Sequence, residues 1–190
     1  MPGDAREPFG SGENIVEAGQ GAGFVFRIHR MLCYAACKAH CVWRGRTSEF
    51  EGHCLRGAVK FAVAPPTLFF AHCHCHYCRD AHGAAFVSWV GAAEARFRYL
   101  PGSTEPQWYQ SSQQSRRGFR SNCGTTLFFA SSICRGEIHI ARPAIQGPMD
   151  REPQCHVFCD QHADWIEAGD RLPQYTSEQP GLAKYEAVRS

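Results

Sequence analysis

The chain has 190 residues, of which 44% are hydrophobic and 20% are charged, which suits one globular domain and excludes a mostly disordered chain. Its 20 Lys and Arg against 18 Asp and Glu leave a formal charge of +2, so no strong field would draw it to nucleic acid or an anionic membrane. No uncharged apolar run reaches the roughly 18 residues that a membrane span requires.

The unusual feature of the composition is its 11 Cys and 10 His. An odd number of cysteines without a recognisable secretory signal argues against a full disulfide framework. We therefore predict a reducing, cytoplasmic location and a site built from metal-binding or reactive thiols.

The chain divides into three parts. Residues 1–47 are predicted to form a flexible, glycine-rich leader, with a possible short helix that places Cys33, Cys37 and Cys41 on one face. Residues 48–175 are predicted to form the folded domain, and residues 176–190 a C-terminal tail.

Within the domain, short apolar segments rich in Phe, Val, Ile, Tyr and Trp alternate with Gly and Pro turns, which is typical of strands. Strands are predicted over 58–63, 67–71, 85–90, 95–100, 107–110, 117–120, 125–130, 137–141 and 155–159. Helical turns are predicted only over 78–82 and 163–168. The fold class is therefore mainly β with short helical inserts.

The strongest local motif is C-x-C-x-x-C, formed by Cys73, Cys75 and Cys78. Three thiols this close can converge on one zinc ion, and three protein ligands leave a fourth tetrahedral position for water or a substrate atom, as in catalytic zinc sites. A vacant position beside soft ligands suits an incoming thiol, held there as thiolate. The alternative is a chance cluster of inert buried cysteines.

Four histidines flank this motif: His72, His74, His76 and His82. His74 and His76 alternate with the cysteines and should point away from a site built by Cys73 and Cys75. Each histidine taken alone is interpreted as solvated or satisfied in the core. One of them could instead supply a fourth ligand, which would close the site and prevent catalysis.

Several blocks of the chain, in order, resemble the glutathione-dependent formaldehyde-activating enzyme family, which shares its domain with centromere protein V. The matching blocks are residues 51–61, 72–79, 83–86, 119–125, 155–158, Trp165 and 170–173. The resemblance implies a Mss4-like fold of antiparallel sheets with two zinc sites. It makes Cys73, Cys75 and Cys78 the ligands of the catalytic zinc.

The resemblance also implies a structural zinc held by C-x-C in the first block and C-x-x-C in the third. Here Cys54 and Cys123 are present, but their partners are Arg56 and Arg120. Arginine stays protonated and cannot ligate, so two thiols are too few for a structural site and the guanidiniums would repel a dication. We predict that this second zinc is absent, leaving one per chain, and that the guanidiniums lower the pKa of both thiols.

Cys54 and Cys123 then have several possible fates. They are most simply free thiols packed in the core, but they could form a disulfide if their Cα atoms lie about 4.4–6.8 Å apart. Recruitment of Cys33, Cys37 or Cys41 as replacement ligands is a further alternative.

Other candidate side chains are interpreted as parts of the core or of the solvated surface. Trp89, Trp108 and Trp165 could line a ligand pocket but are more typical of a core. Arg116 and Arg117 could bind a carboxylate, but we interpret them as a solvated pair. Cys134, Cys155 and Cys159 show no metal-like spacing.

The function predicted from the resemblance is a zinc-dependent carbon–sulfur lyase that adds the thiolate of glutathione to a small aldehyde such as formaldehyde, or catalyses the reverse reaction. The spacing alone indicates only a zinc site that binds a thiol. The alternative is a non-catalytic zinc- or glutathione-binding module. A nucleic-acid-binding role is disfavoured by the near-neutral charge, and no membrane partner is expected.

Overall fold

The computed structural model describes residues 48–182, which form two β-sheets joined by short turns. The predicted leader, its helix and Cys33, Cys37 and Cys41 lie outside the described residues. The strands are β1 (Phe50–His53), β2 (Lys60–Val63), β3 (Phe69–Cys73), β4 (Val87–Ala93), β5 (Phe97–Tyr99), β6 (Gln107–Ser112), β7 (Ser115–Arg120), β8 (Thr125–Ser131), β9 (Glu137–Ala141), β10 (Cys155–Val157) and β11 (Gln174–Tyr175).

One short α-helix, α1 (His76–His82), follows β3 within the described residues. It ends at Gly83, which adopts a left-handed conformation (φ 57°) that glycine reaches without a steric penalty. Four single-turn 3-10 helices complete the regular structure: Glu94–Arg96, Ser132–Cys134, Arg142–Ala144 and Cys159–Gln161.

The larger sheet has eight strands in the order β11-β10-β3-β4-β9-β8-β7-β6, and the smaller has the order β1-β2-β5. Most neighbours are antiparallel, but β10 pairs in parallel with both β3 and β11. This late strand therefore lies directly beside β3, which leads into the cysteine motif.

The main core lies between the two sheets. Phe61 of the small sheet packs edge-on against Phe128 of the large sheet, with ring centroids 5.2 Å apart. Phe97 fills the same interface at 5.3 Å from Phe128. Val90 and Ile140, register partners in β4 and β9, are fully buried beneath these rings. Interlocking aromatic pairs of this kind add to the burial of apolar surface and hold the sheets together.

A buried polar network fixes the start of β3. The carboxylate of Asp150 accepts hydrogen bonds from the backbone N–H and the hydroxyl of Thr67, both at 2.7 Å. The side-chain carbonyl of Gln154 accepts a hydrogen bond from the N–H of Phe70 at 3.0 Å. A fully buried carboxylate is costly unless it is hydrogen-bonded, so this network ties the 150–154 segment to the strand that carries the motif.

The mainly β prediction is confirmed, and the sheets agree with the Mss4-like arrangement that the resemblance implies. The sequence patterns overlooked β1 and β11. The helix predicted over 163–168 is wrong, because only residues 164–165 are in a turn and the rest of the segment is irregular. A hydrogen bond from the N–H of Ile166 to the carbonyl of Ala163, at 3.3 Å, closes this turn, and the helix does not continue beyond it.

Residues 176–182, assigned to a C-terminal tail, run back over the sheet. Leu182 is buried in a cluster with Cys73, Cys78, Val87 and Trp89. In the part of the chain that the structure describes, no helix has the length and apolar character needed to cross a bilayer.

Phe128 is the central ring of the core, so Phe128→Ala should lower the free energy of unfolding by about 3–5 kcal/mol. Chemical denaturation monitored by circular dichroism measures the loss. Tyr109→Ala, at an exposed position on β6, is the matched control and should change the value by less than about 0.5 kcal/mol. Equal losses in the two variants would contradict the packing described here.

Candidate metal centre

The three cysteines of the motif converge. Their Sγ atoms all lie within 4.8 Å of one another. Cys73 ends β3, Cys75 is the residue that precedes α1, and Cys78 lies in the first turn of the helix. Cys73 and Cys78 are buried and Cys75 is half-buried, so the group opens to solvent on the side of Cys75.

The turn from strand to helix produces this convergence. The carbonyl of Cys75 accepts hydrogen bonds from the N–H groups of Cys78 and Arg79, at 3.1 and 3.0 Å. Cys75 occupies the N-cap position, but its side chain makes no capping hydrogen bond. Its sulfur is therefore available to face the other two.

The donor set fits a zinc ion. Zn–S bonds of about 2.3 Å at tetrahedral angles place sulfur atoms about 3.8 Å apart, and the observed limit of 4.8 Å requires only small side-chain adjustments. Thiolates are ligands that zinc favours. Within the described residues, no histidine belongs to this group, so the alternative of a fourth ligand from His72, His74, His76 or His82 finds no support in the geometry.

The thiols interact strongly with one another. Hydrogen bonds with Cys75 and Cys78, together with burial, hold the pKa of Cys73 well above its usual range. For Cys75, the hydrogen bond with Cys73 lowers the pKa, but the bond with Cys78 and burial outweigh it and raise the pKa to about 12. Hydrogen bonds from Cys73 and Cys75 lower the pKa of Cys78 well below its usual range. Cys78 is thus the sulfur on which negative charge concentrates.

Arg117 provides a positive charge at that sulfur. Its guanidinium nitrogens lie 3.9 and 4.0 Å from Cys78 Sγ, and the side chain is buried against the ring of Phe129. The positive charge also lowers the pKa of Cys78. The sequence-based interpretation of Arg116 and Arg117 as a solvated pair is wrong for Arg117, because successive residues of β7 face opposite sides of the sheet.

Trp89 and His82 form the neighbouring wall. Trp89 is buried and hydrogen-bonds with Cys78, and the ring of His82 meets Trp89 edge-on at 5.1 Å. Burial lowers the pKa of His82 to about 4, so the imidazole is neutral at neutral pH. Trp89 therefore lines the metal centre, whereas Trp108 packs on Phe128 in the core and Trp165 is 72% exposed.

His74 and His76 lie away from the sulfurs, as their alternation with the cysteines predicted. His74 is buried and its Nε2 lies 2.8 Å from His156 Nδ1, while His76 is exposed at the start of α1. His72 contacts Ser88 on the same side of the sheet as His156.

The loop that carries Cys54 and Arg56 also meets the loop that carries Arg120 and Cys123. Thr125 joins them: its hydroxyl oxygen accepts a hydrogen bond from the N–H of Leu55 at 3.0 Å and lies 3.2 Å from Cys123 Sγ. The thiol of Cys54 also hydrogen-bonds with Cys123. A cavity of about 330 Å³ opens here, lined by Arg56, Ala58, Arg120, Asn122 and Cys123.

No disulfide joins Cys54 to Cys123; Cys54 is buried and Cys123 is half-buried. The pKa of Cys123 is lowered to about 7. The direction agrees with the prediction, but the proposed cause is wrong: the shift comes first from hydrogen bonds with the Thr125 side chain and backbone, then with the Arg56 backbone and the Cys54 thiol. The guanidiniums of Arg56 and Arg120 make no comparable contribution.

A third group of possible metal ligands was missed because Cys134 has no second cysteine at metal-like spacing, although the three members lie within residues 134–139. Cys134, Glu137 and His139 bring possible ligand atoms within 4.8 Å of one another. His139 Nε2 lies 3.3 Å from the Glu137 carboxylate, and its ring packs between Phe69 and Phe129. These contacts account for the group as part of the packing of β9.

Comparison with known proteins gives concordant matches. The family model described as glutathione-dependent formaldehyde-activating enzyme matches residues 49–161. A Halomonas elongata protein, provisionally named as such an enzyme, is 27% identical over 128 residues, covering 64% of this chain and 82% of its own length. An uncharacterized lyase of Schizosaccharomyces pombe is 26% identical over 136 residues, covering 69% of this chain and 93% of its own.

Among solved structures, a Rhodobacter sphaeroides protein superposes with a TM-score of 0.45 at 20% identity, covering 66% of this chain and 99% of that one. The family match covers more than half of the chain and includes Cys73, Cys75 and Cys78. The chain belongs to the glutathione-dependent formaldehyde-activating enzyme family.

Proposed function

We propose that the chain is a zinc-dependent carbon–sulfur lyase that adds the thiolate of glutathione to formaldehyde or a similar small aldehyde, or catalyses the reverse reaction. In the forward direction a C–S bond forms, the carbonyl π electrons move to oxygen, and that oxygen takes up one proton. The product is the S-hydroxyalkyl thioether, and neither an oxidant nor a reductant is needed.

The observation that carries this proposal is the convergence of three cysteine sulfurs, one of them half-buried. Cys73, Cys75 and Cys78 would hold the zinc, which when bound supplies Lewis acidity and keeps an incoming thiol deprotonated. The opening at Cys75 gives a small thiol a route to the site, whereas Trp89 and Val87 shield the buried side from water.

Arg117 has an electrostatic role in this proposal. Three thiolates around a dication carry a net charge of −1, and a fourth, from the substrate, makes it −2. The buried guanidinium beside Cys78 offsets one of these charges in a region of low dielectric, where the compensation is strong. Arg117 is therefore a positioning residue that favours the fully deprotonated set of cysteines.

The proposal includes one zinc per chain, with no structural zinc at Cys54 and Cys123. The lining of that cavity by two arginines supports this, because each stands where the family motif calls for a thiol ligand. The names of the matched relatives support glutathione and an aldehyde as substrates. The cytoplasmic location stays a prediction.

Cys75→Ser should remove most of the bound zinc and reduce the addition of glutathione to formaldehyde to the uncatalysed rate, because it deletes one of three ligands. Zinc is measured by mass spectrometry of metals, and addition by the disappearance of aldehyde. Cys159→Ser, at a half-buried cysteine outside the metal centre, is the matched control and should retain both zinc and activity.

The enzymatic proposal would be contradicted if the wild-type protein binds zinc and glutathione but the aldehyde disappears no faster than with glutathione in buffer without protein. That result would identify the alternative, a non-catalytic binding module. Full activity in the Cys75→Ser variant would refute the assignment of the site itself.

Arg117→Gln should weaken zinc binding by about tenfold or more, because it removes a charge-assisted contact with Cys78 while approximately keeping the volume. Competition with a chelator of known affinity measures the change. Arg117→Lys keeps the positive charge and should recover part of the affinity. Arg116→Gln, on the exposed side of β7, should leave it unchanged, and an equal loss in both Gln variants would contradict the role given to Arg117.

The double variant Arg56→Cys/Arg120→Cys should bind one more zinc per chain than the wild type, because two new thiols would then line the cavity with Cys123, which Cys54 contacts. Metal content after gel filtration tests this. The single Arg56→Cys variant, with three thiols and one remaining guanidinium, should hold less. A wild-type chain that already carries zinc at Cys54 and Cys123, lost in Cys54→Ser, would refute the proposed absence.

A further inference from the structure

A row of polar side chains crosses the large sheet on the face opposite the three sulfurs. His72 in β3 is the register partner of both His156 in β10 and Ser88 in β4. Register partners on neighbouring strands project to the same face, and Cys73, the next residue in β3, projects to the other. The two imidazole rings consequently lie side by side, with centroids 4.9 Å apart.

Asp170 extends this row at the edge of the sheet. Both of its carboxylate oxygens lie 3.0 Å from His156 Nε2, and one also accepts a hydrogen bond from the N–H of Leu172 at 3.0 Å. One nitrogen of His72, one of His156 and one oxygen of Asp170 all lie within 4.8 Å of one another. Two imidazoles and a carboxylate therefore lie close enough together to contact one ion.

We propose that His72, His156 and Asp170 form a separate site for a divalent transition metal such as Co²⁺, which binds in addition to the one zinc held by the three thiols. Imidazole nitrogen and carboxylate oxygen are common ligands of these ions. At metal–ligand distances of about 2.1 Å, two ligand atoms lie about 3.0 Å apart at right angles and about 3.4 Å apart at the tetrahedral angle. The His156–Asp170 pair already has this separation, and the cation replaces the proton shared between them.

The second nitrogen of each imidazole is anchored in the way that metal-binding histidines require. His72 Nδ1 lies 2.8 Å from Ser88 Oγ, and His156 Nδ1 lies 2.8 Å from His74 Nε2. Such outer contacts fix the ring orientation and leave the other nitrogen for the metal. The sequence pattern placed His74 and His76 away from the sulfurs, and His74 lies on this face of the sheet, where it contacts His156.

The site is accessible from one side. The Asp170 side chain is 45% exposed, whereas His156 is buried and the ring of Phe86 covers His72 at 5.1 Å. Asp170 lies in a loop, so its carboxylate can close on a cation by a small movement. Three protein ligands leave further positions for water or a small anionic ligand.

The test uses the full chain loaded with one equivalent of Zn²⁺, so that the thiols are occupied, and titrates Co²⁺ by calorimetry and visible absorption. We expect one further equivalent with weak d–d bands and no thiolate-to-cobalt charge-transfer band, because no sulfur belongs to this site. His72→Ala and Asp170→Asn should each weaken it by at least about tenfold. His156 is kept because its ring is buried.

Matched controls are His53→Ala and Asp164→Asn, both at exposed positions outside the row, which should leave the Co²⁺ titration unchanged. The proposal is overturned if no further equivalent binds, if it brings a thiolate charge-transfer band, or if it persists in the double His72→Ala/Asp170→Asn variant. Circular dichroism shows whether each variant is folded. None of these readouts depends on glutathione or aldehyde, so the outcome is independent of the proposed enzymatic activity.

Discussion

Side chains alternate between the two faces of the sheet along β3, and the chain then turns at once into α1. The ligand groups on both faces of the large sheet depend on this local geometry. Cys73 is the last residue of the strand, and the chain then turns so that Cys75 and Cys78 come back toward it. The same alternation sends His72 to the other side of the sheet. One short segment therefore places soft sulfur ligands on one face and imidazoles on the other.

That segment supplies all three sulfurs, but the residues around them and the other members of the imidazole group come from elsewhere in the chain. On the sulfur face, Arg117 comes from β7 and Trp89 from β4. On the imidazole face, His156 comes from β10, which pairs in parallel with β3. The buried bonds of Asp150 and Gln154 to the start of β3 hold the 150–154 segment in place and so bring the following strand alongside. A polar network in the core thereby sets the position of a site that lies several residues away.

The loops that carry Arg56 and Arg120 meet in the structure. The hydroxyl of Thr125 contacts both loops, at the N–H of Leu55 and the thiol of Cys123, and Cys54 hydrogen-bonds with Cys123. These hydrogen bonds join the two loops. Because hydrogen bonds from Thr125 also stabilise a thiolate, Cys123 has a lowered pKa even though its charged neighbours contribute little to it.

The sequence by itself determined the mainly β class, most strand positions and the grouping of the three cysteines, because these depend on short-range properties: alternation, turn residues and close cysteine spacing. It also indicated that His74 and His76 face away from the sulfurs. It overlooked the two-residue β11, since so short a strand has no periodicity to detect, and it assigned helix to 163–168 from local composition alone.

Only the tertiary structure decided which distant side chains meet. Arg117 looked like half of a solvated pair, and it is buried at Cys78 because β7 belongs to the same sheet as β4. His72, His156 and Asp170 are separated by up to 98 positions in the chain, and the register of β3 with β10 brings them together. Strand order and register are set by the packing of the whole core, so no local pattern in the sequence could reveal these contacts.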